Sequence, residues 1–269
     1  YRSPIPMTTS KTALITGASS GIGKELARIH AERGGDLVIV ARSESKLQEL
    51  KTELEQKHSV NVTVIAKDLT HEDAPRELHE AVRSAGIQVD YLFNNAGFGG
   101  HGKFHERDWE SDLAMIQLNV VALTELCHRF LPDFLHRGQG RILNVSSTAS
   151  LPPGGPLQAV YFATKHFVTA LSYGIAGELD DSDVTVTALL PGATETEFAS
   201  NAKMASAKLF QDAASARSVA EDGYEGMLKG ELSVISGLPL AKKAMMAAIP
   251  VTPKKLLLDQ IRKMQEVPS

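Results

Sequence analysis

The sequence predicts an α/β protein built on a doubly wound parallel sheet with helices on both faces. Three observations carry this prediction. Short β-branched runs alternate with longer helical stretches along most of the chain. No linker, repeat or low-complexity tract interrupts the alternation, so the 269 residues read as one domain. Gly- and Pro-rich pieces at 97–102, 151–156 and 191–192 each follow a predicted strand, where an open α/β sheet places its ligand crevice.

Residues 12–15 form the first predicted strand, followed by a helix over 22–33. A second strand at 37–40 leads into a charged helix over 43–57, with Ser43 available as its cap. The third strand, 62–66, precedes a helix near 73–84. The fourth, 91–94, precedes a long helical zone from 108 to 135. Residues 141–145, 157–179 and 184–190 continue the pattern as strand, helix and strand, and 233–236 add a seventh strand. These strands are rich in Val, Ile and Thr, whose branched side chains fit a pleated surface.

Composition narrows the function. With 43% hydrophobic and 22% charged residues the chain reads as an ordinary soluble globular protein. A net charge of −4 offers no basic excess for nucleic acid. Cys127, the single cysteine, cannot form an internal disulfide and lies in an apolar helical pattern, so it reads as a buried structural thiol. No apolar run reaches the roughly 18–20 residues that span a bilayer. No signal-peptide pattern opens the chain, so the expected location is the cytoplasm. Residues 1–6 precede Met7, carry two prolines and read as a cloning remnant. The catalytic domain is assigned to 7–236 and a C-terminal extension to 237–269.

The stretch Thr16-Gly-Ala-Ser-Ser-Gly-Ile-Gly23 admits two readings. Gly17-Ala18-Ser19-Ser20-Gly21 fits G-x-S-x-G, the turn that presents a hydrolase's nucleophilic serine. The same glycines form a turn that closes a backbone around a pyrophosphate. A nucleophile elbow belongs in mid-sheet, with an earlier loop supplying an oxyanion donor. Here the motif follows the first strand, and an elbow has no use for Gly23. A cofactor loop uses all three glycines, and the helix beginning near Ile22 points its amides at phosphate. The loop is read as a cradle, with Ser19, Ser20 and Ile22 beside the glycines.

A glycine-rich turn alone is a weak signal, and its weight comes from the motifs downstream of it. Asp68-Leu69, Asn94-Asn95-Ala96-Gly97, Asn119, Asn144-Val145-Ser146-Ser147, Tyr161-Phe162-Ala163-Thr164-Lys165 and Pro191-Gly192 succeed it in that order. On these motifs the chain resembles the short-chain dehydrogenase/reductase family in its classical form, over about residues 11–236. The resemblance implies a seven-stranded Rossmann-type sheet, a nicotinamide dinucleotide and carbonyl/alcohol redox chemistry.

Tyr161 and Lys165 are four residues apart and share a helix face. A phenol of ordinary pKa near 10 is a poor base at neutral pH, and a nearby ammonium favours its ionised form. Tyr161 is therefore expected to exchange a proton with the reacting oxygen. Ser147 is expected to hydrogen-bond that oxygen. The resemblance makes Ser147 the reactive serine of its pair and Ser146 the structural one. The segment between Ser147 and Tyr161 looks one residue longer than usual, which leaves Thr148 as an alternative. The resemblance also implies that Asn119 supports a proton relay and that Lys165 holds the nicotinamide ribose. It places Asp68 and Leu69 at adenine, Asn95 and Gly97 along the adenosine side, and Pro191, Gly192 and Thr194 at the nicotinamide carboxamide.

Strand two ends Val40-Ala41-Arg42, where an NAD-type protein would carry an acid for the ribose 2′-hydroxyl. Arg42 offers a planar fork to a 2′-phosphate, so NADP(H) is expected over NAD(H). His101 and His105 have metal-ligand spacing but sit in a glycine-rich loop without a third ligand, so no metal is expected. The leading function is an NADP(H)-dependent oxidoreductase acting on a ketone or alcohol. A sensor that kept the fold without turnover is the alternative from another class. An epimerase or dehydratase is disfavoured by the little chain left after Ser236.

The substrate loop is assigned to about 193–214, where Phe198, Met204 and Phe210 make an apolar or aromatic substrate reasonable or else pack internally. Many apolar positions on helices 108–135 and 157–179 suggest a homodimer or homotetramer, as the resemblance also does. The basic tail places Leu257, Leu258, Ile261 and Met264 on one helical face, with Ala244, Met245, Ala248 and Ile249 suggesting a second short helix. A tail packed on the body is expected over one bound to an anionic membrane surface.

Overall fold

The structure, a computed structural model, describes residues 10–196, 213–239, 246, 249 and 252–265. Its strands are β1 (Thr12–Thr16), β2 (Asp36–Ala41), β3 (Val62–Ala66), β4 (Tyr91–Asn94), β5 (Gly140–Val145) and β6 (Val184–Pro191). The two-residue β7 (Thr194–Glu195) and β8 (Ala214–Ser215) pair with each other, and β9 (Ser233–Ser236) closes the series. Seven strands form one parallel sheet in the order β3-β2-β1-β4-β5-β6-β9. The order reverses between β1 and β4, which opens a crevice beyond their carboxyl ends.

Successive strand residues point to opposite faces, so a sheet covered on both sides needs apolar residues at every position. β1 shows this: Ala13 and Ile15 pack into one core and Leu14 into the other, all fully buried. The first core is closed by α1 (Gly21–Glu32), α2 (Glu44–His58) and later Val219, Tyr224 and Met227. The second is closed by α3 (Ala74–Ser84), α5 (Leu123–Arg137) and α6 (Ala159–Glu178). Cys127 is buried there, between Asn94 and Asn144, and burial pushes its thiol up to about 12.

Two elements differ from expectation. The zone read as one helix is α4 (Trp109–Ile116) and α5 joined by a π-helical turn, Gln117–Ala122. Asp108 caps it by accepting from Ser111 N at 2.8 Å. A further helix, α7 (Ala216–Lys229), was not anticipated. Its buried face is Val219, Ala220, Gly223, Tyr224, Gly226 and Met227, and the two glycines dilute the apolar stripe that periodicity detects. Gly223 is needed there, because an added Cβ would sit 2.6 Å from the Leu189 side chain.

The final helix, α8 (Lys254–Gln265), buries Ile261 and Gln265. Leu257 and Leu258 are half-buried, whereas Met264 is 46% exposed. The expected face is thus rotated toward Gln265. Ala244, Met245, Ala248, Phe198, Met204 and Phe210 lie outside the described residues, as do residues 1–9. No helix among the described residues is long and apolar enough to cross a membrane.

Candidate active site

The turn after β1 is held from the neighbouring strand. Thr16 Oγ1 accepts from the backbone N–H groups of Asn95 and Ala96, both at 3.0 Å. Asn95 Nδ2 donates back to Thr16 O at 2.9 Å and Gly17 O at 3.2 Å. Gly17 adopts φ +68°, a left-handed conformation that favours glycine. A Cβ on Gly23 would lie 2.4 Å from Gly17 O, so the third glycine lets α1 close on the turn. The first turn of α1 has no acidic residue, and Ser20 makes no side-chain capping bond. Its amide groups are therefore left for an anion.

A cleft of about 630 Å³ opens here and runs along the carboxyl ends of the strands. Gly17, Ser19, Ser20, Gly21, Ile22, Arg42, Asp68 and Leu69 line one end. Asn95, Gly97, Ser147, Tyr161, Lys165, Pro191, Gly192 and Thr194 line the remainder. Thr148 lines it too. Gly23 and Asn119 are not at its surface: Gly23 lies beneath the turn, and Asn119 is buried behind Gly97. His101 bonds the Gln265 carbonyl, and His105 is largely exposed beside Glu106. The glycine cradle, the uncapped helix and the cleft dimensions fit a dinucleotide. Ser19–Ile22 would hold its phosphates, and Arg42 and Asp68 would meet its adenosine end.

Asp68 accepts from Thr70 N at 3.0 Å and Thr70 Oγ1 at 2.8 Å. Burial opposes its ionised form, but the Thr70 bonds and Arg42 prevail and hold the carboxyl below its ordinary value. Thr194 Oγ1 donates to Gly192 O at 3.0 Å, and Gly192 N donates to Ser236 O at 2.9 Å. These bonds pin the loop after β6 to β9.

At the other end, β5 delivers a serine pair with divided surroundings. Ser146 is buried and bonded to Lys165 O at 2.9 Å and Thr169 Oγ1 at 2.6 Å. The neighbouring Ser147 accepts from Ala149 N at 3.1 Å, reaches Pro191 O at 3.5 Å and is bonded to the Tyr161 phenol. Lys165 Nζ donates to Val145 O at 2.8 Å and lies 5.9 Å from the Tyr161 ring centre. Asn119 stands in the π turn. Its Oδ1 accepts from Phe98 N at 3.1 Å, and its Nδ2 donates to Phe98 O at 3.0 Å and Thr164 Oγ1 at 3.1 Å. Gly97 lies close against Asn119 and Lys165: a Cβ would be 3.0 Å from Asn119 Oδ1, a tight contact, and 3.5 Å from Lys165 Nζ, an ordinary one.

Electrostatics in this arrangement run against one expectation. Burial pushes the Tyr161 phenol up to about 12, only partly offset by the Ser147 bond. Burial also lowers Lys165 to about 8. Both groups lose hydration, and desolvation outweighs the attraction that their spacing suggests. At neutral pH the phenol is therefore neutral and able to donate.

A family model described as short chain dehydrogenase matches residues 11–206. The chain belongs to this family. Its members in comparison span several activities. Sulfoacetaldehyde reductase 2 of Chromohalobacter salexigens is 35% identical over 194 residues, covering 70% of this chain and 75% of that protein. The very-long-chain 3-oxoacyl-CoA reductase of Macaca fascicularis is 32% identical over 192 residues and 70% of this chain. The match spans only 60% of that reductase's length. A short-chain dehydrogenase from Sphingobium yanoikuyae, solved in complex with NADPH, superposes with a TM-score of 0.80 at 33% identity. It covers 96% of this chain and 98% of its own. The short-chain dehydrogenase described here is thus an oxidoreductase on a single-domain Rossmann-type fold.

Sequence reasoning missed part of this site. Phe98, Gln158, Phe162, Ile261 and Gln265 also line the cleft. Phe98 and Phe162 adjoin motif residues, which was the available signal. Gln265 had none, since a polar residue on an amphipathic helix reads as solvent-facing.

Proposed function

We propose that this dehydrogenase interconverts a ketone or aldehyde and the corresponding alcohol with NADP(H), acting as a cytoplasmic homodimer or homotetramer. The convergence of Ser147, Tyr161 and Lys165 on one cleft with the glycine cradle carries the reading. When bound, the nicotinamide dinucleotide supplies or takes the hydride. Ser147 then orients the substrate oxygen by hydrogen bonding and stabilises its growing negative charge. Tyr161 gives its proton to that oxygen in reduction and recovers it in oxidation. Lys165 keeps a positive charge near the phenol and holds the ribose, and Asn119 fixes the wall that carries Phe98. Arg42, exposed at the cleft's adenosine end, favours a 2′-phosphate and so NADP(H).

The test is cofactor oxidation by the purified protein with NADPH and with NADH over a panel of ketones and aldehydes. NADPH-dependent turnover is expected. Tight NADPH binding with no turnover on any carbonyl would instead support a nucleotide-binding sensor.

A further inference from the structure

The stripe of α6 that carries Tyr161 and Lys165 continues beyond the cleft. Thr169 follows Lys165 at the same interval of four, is buried, and does not line the cleft. A helical threonine commonly turns its hydroxyl back to the carbonyl four residues earlier. Here that carbonyl, of Lys165, accepts from Ser146 Oγ at 2.9 Å. Thr169 Oγ1 instead reaches off its helix, to Ser150 Oγ at 2.9 Å and Ser146 Oγ at 2.6 Å. Ser150 Oγ in turn meets the Ser147 carbonyl at 2.7 Å.

Counting protons fixes the direction of these bonds. The Ser147 carbonyl only accepts, so Ser150 spends its proton there and can only accept from Thr169. Thr169 has then spent its own proton, so Ser146 is the donor in their contact. The Ser146 proton is shared between Thr169 Oγ1 and Lys165 O as a three-centre bond. A directed chain of three buried hydroxyls thus leaves the end of β5 at Ser146, crosses to α6 and returns to the backbone of Ser147. Each member both gives and takes a bond, so removing one strands a buried neighbour.

The chain ends on a residue that is held at every polar group. The Ser147 carbonyl also accepts from Ser150 N at 3.0 Å, and its Oγ accepts from Ala149 N at 3.1 Å and is bonded to the Tyr161 phenol. We propose that Thr169 is a positioning residue for the reaction. Acting through Ser150, it sets how Ser147, at the end of β5, stands against Tyr161 on α6. The inference rests on the reading of Ser147 and Tyr161 as the pair that meets a substrate oxygen.

Thr169→Val keeps the shape and removes the hydroxyl, Thr169→Ser keeps the hydroxyl, and Ser150→Ala breaks the next link. Each is made in the full chain, alone and together with Ser147→Ala. Two quantities are measured: kcat with NADPH and a carbonyl substrate, and the NMR signal of the Tyr161 ring carbon that bears the hydroxyl, assigned by its loss in Tyr161→Phe. Thr169→Val and Ser150→Ala should lower kcat by about tenfold, with NADPH affinity changed less than about twofold, and Thr169→Ser should restore it. Both should also move the Tyr161 signal in the direction that Ser147→Ala moves it. In the Ser147→Ala background they should change neither quantity further, because the residue they act on is gone. An equal loss in both backgrounds would mark a general loosening of the fold and overturn the proposal, as would an unmoved Tyr161 signal. A moved signal in a protein that turns over no carbonyl would uphold the positioning role and sink the reductase reading. Turnover with an unmoved signal would do the reverse.

Discussion

The Tyr161 phenol is hydrogen-bonded to the Ser147 hydroxyl, which joins the helix after β5 to the serine pair at that strand's end. Tyr161→Phe keeps the ring and removes only the hydroxyl. We expect kcat to fall by about 10²–10⁴-fold with NADPH affinity changed less than about twofold. Lys165→Ala should damage both. Stopped-flow turnover and fluorescence titration of NADPH decide this, and a Tyr161→Phe enzyme with near-normal kcat would place the proton donor elsewhere.

The directions of reaction should respond differently to pH. Reduction needs the neutral phenol, available up to about 12, and the charged lysine, available up to about 8. Reduction should therefore be level through neutrality and decline as pH rises through about 8. Oxidation needs the phenolate beside the same charged lysine, so it should climb as pH rises to about 8 and level off above it. Profiles of kcat/KM measured both ways test this, and a reduction rate that climbs between roughly pH 7 and 9 would contradict it.

Arg42→Ala should raise KM for NADPH by about tenfold or more and leave KM for NADH within about twofold, because only the former carries a 2′-phosphate. Steady-state kinetics with both cofactors are sufficient. Equal effects would mean that Arg42 does not read the phosphate.

Large apolar side chains stand exposed on two neighbouring helical stretches. Trp109, Leu113 and Val121 recur at multiples of four along α4 and the π turn, and Phe167 and Tyr173 project from α6. Such a surface suits a second copy of the chain. Sedimentation should give a multiple of 29.0 kDa, and Leu113→Glu with Phe167→Glu should reduce it to 29.0 kDa. A wild-type protein already at the single-chain mass would refute the assembly.

His30 should make folding acid-sensitive. Its Nε2 donates to Lys11 O at 2.8 Å, so Nδ1 accepts from the Tyr224 hydroxyl at 2.7 Å. Burial holds the imidazole below its ordinary pKa. Because the folded value is the lower one, this stabilisation is complete above about 6.5 and is lost as pH falls below it, where the unfolded chain takes up the proton first. Urea midpoints between pH 7.5 and 5.5 should drop further for wild type than for His30→Gln.

Much of this architecture was legible because single residues carry it. The β-branched cores of β3 and β9 and the short apolar-aromatic run of β4 located these strands to the residue, and Tyr161 with Lys165 announced themselves by spacing. Other parts depend on tertiary context. α7 buries glycines where periodicity looks for large side chains. The sign of the Tyr161 shift depends on how completely both groups lose water, which spacing does not encode. Gln265 reaches the cleft on a helix held there by distant residues, His101 at its backbone carbonyl and the apolar cluster around Ile261, which local periodicity does not encode.

Asn119 satisfies both the N–H and the C=O of Phe98 with one side chain. A carboxamide is a peptide unit without a chain attached, so this contact is a single rung of sheet ladder borrowed by a helix. The loop after β4 is thereby paired at Phe98 as a strand residue would be, with a helix side chain as the partner. Neither Asn119→Asp nor Asn119→Ser can preserve the rung: aspartate lacks the donor and serine lacks the reach. Asn119→Gln keeps it but moves it outward by one methylene, so even the most conservative exchange would shift Phe98 and, with it, the wall opposite Lys165.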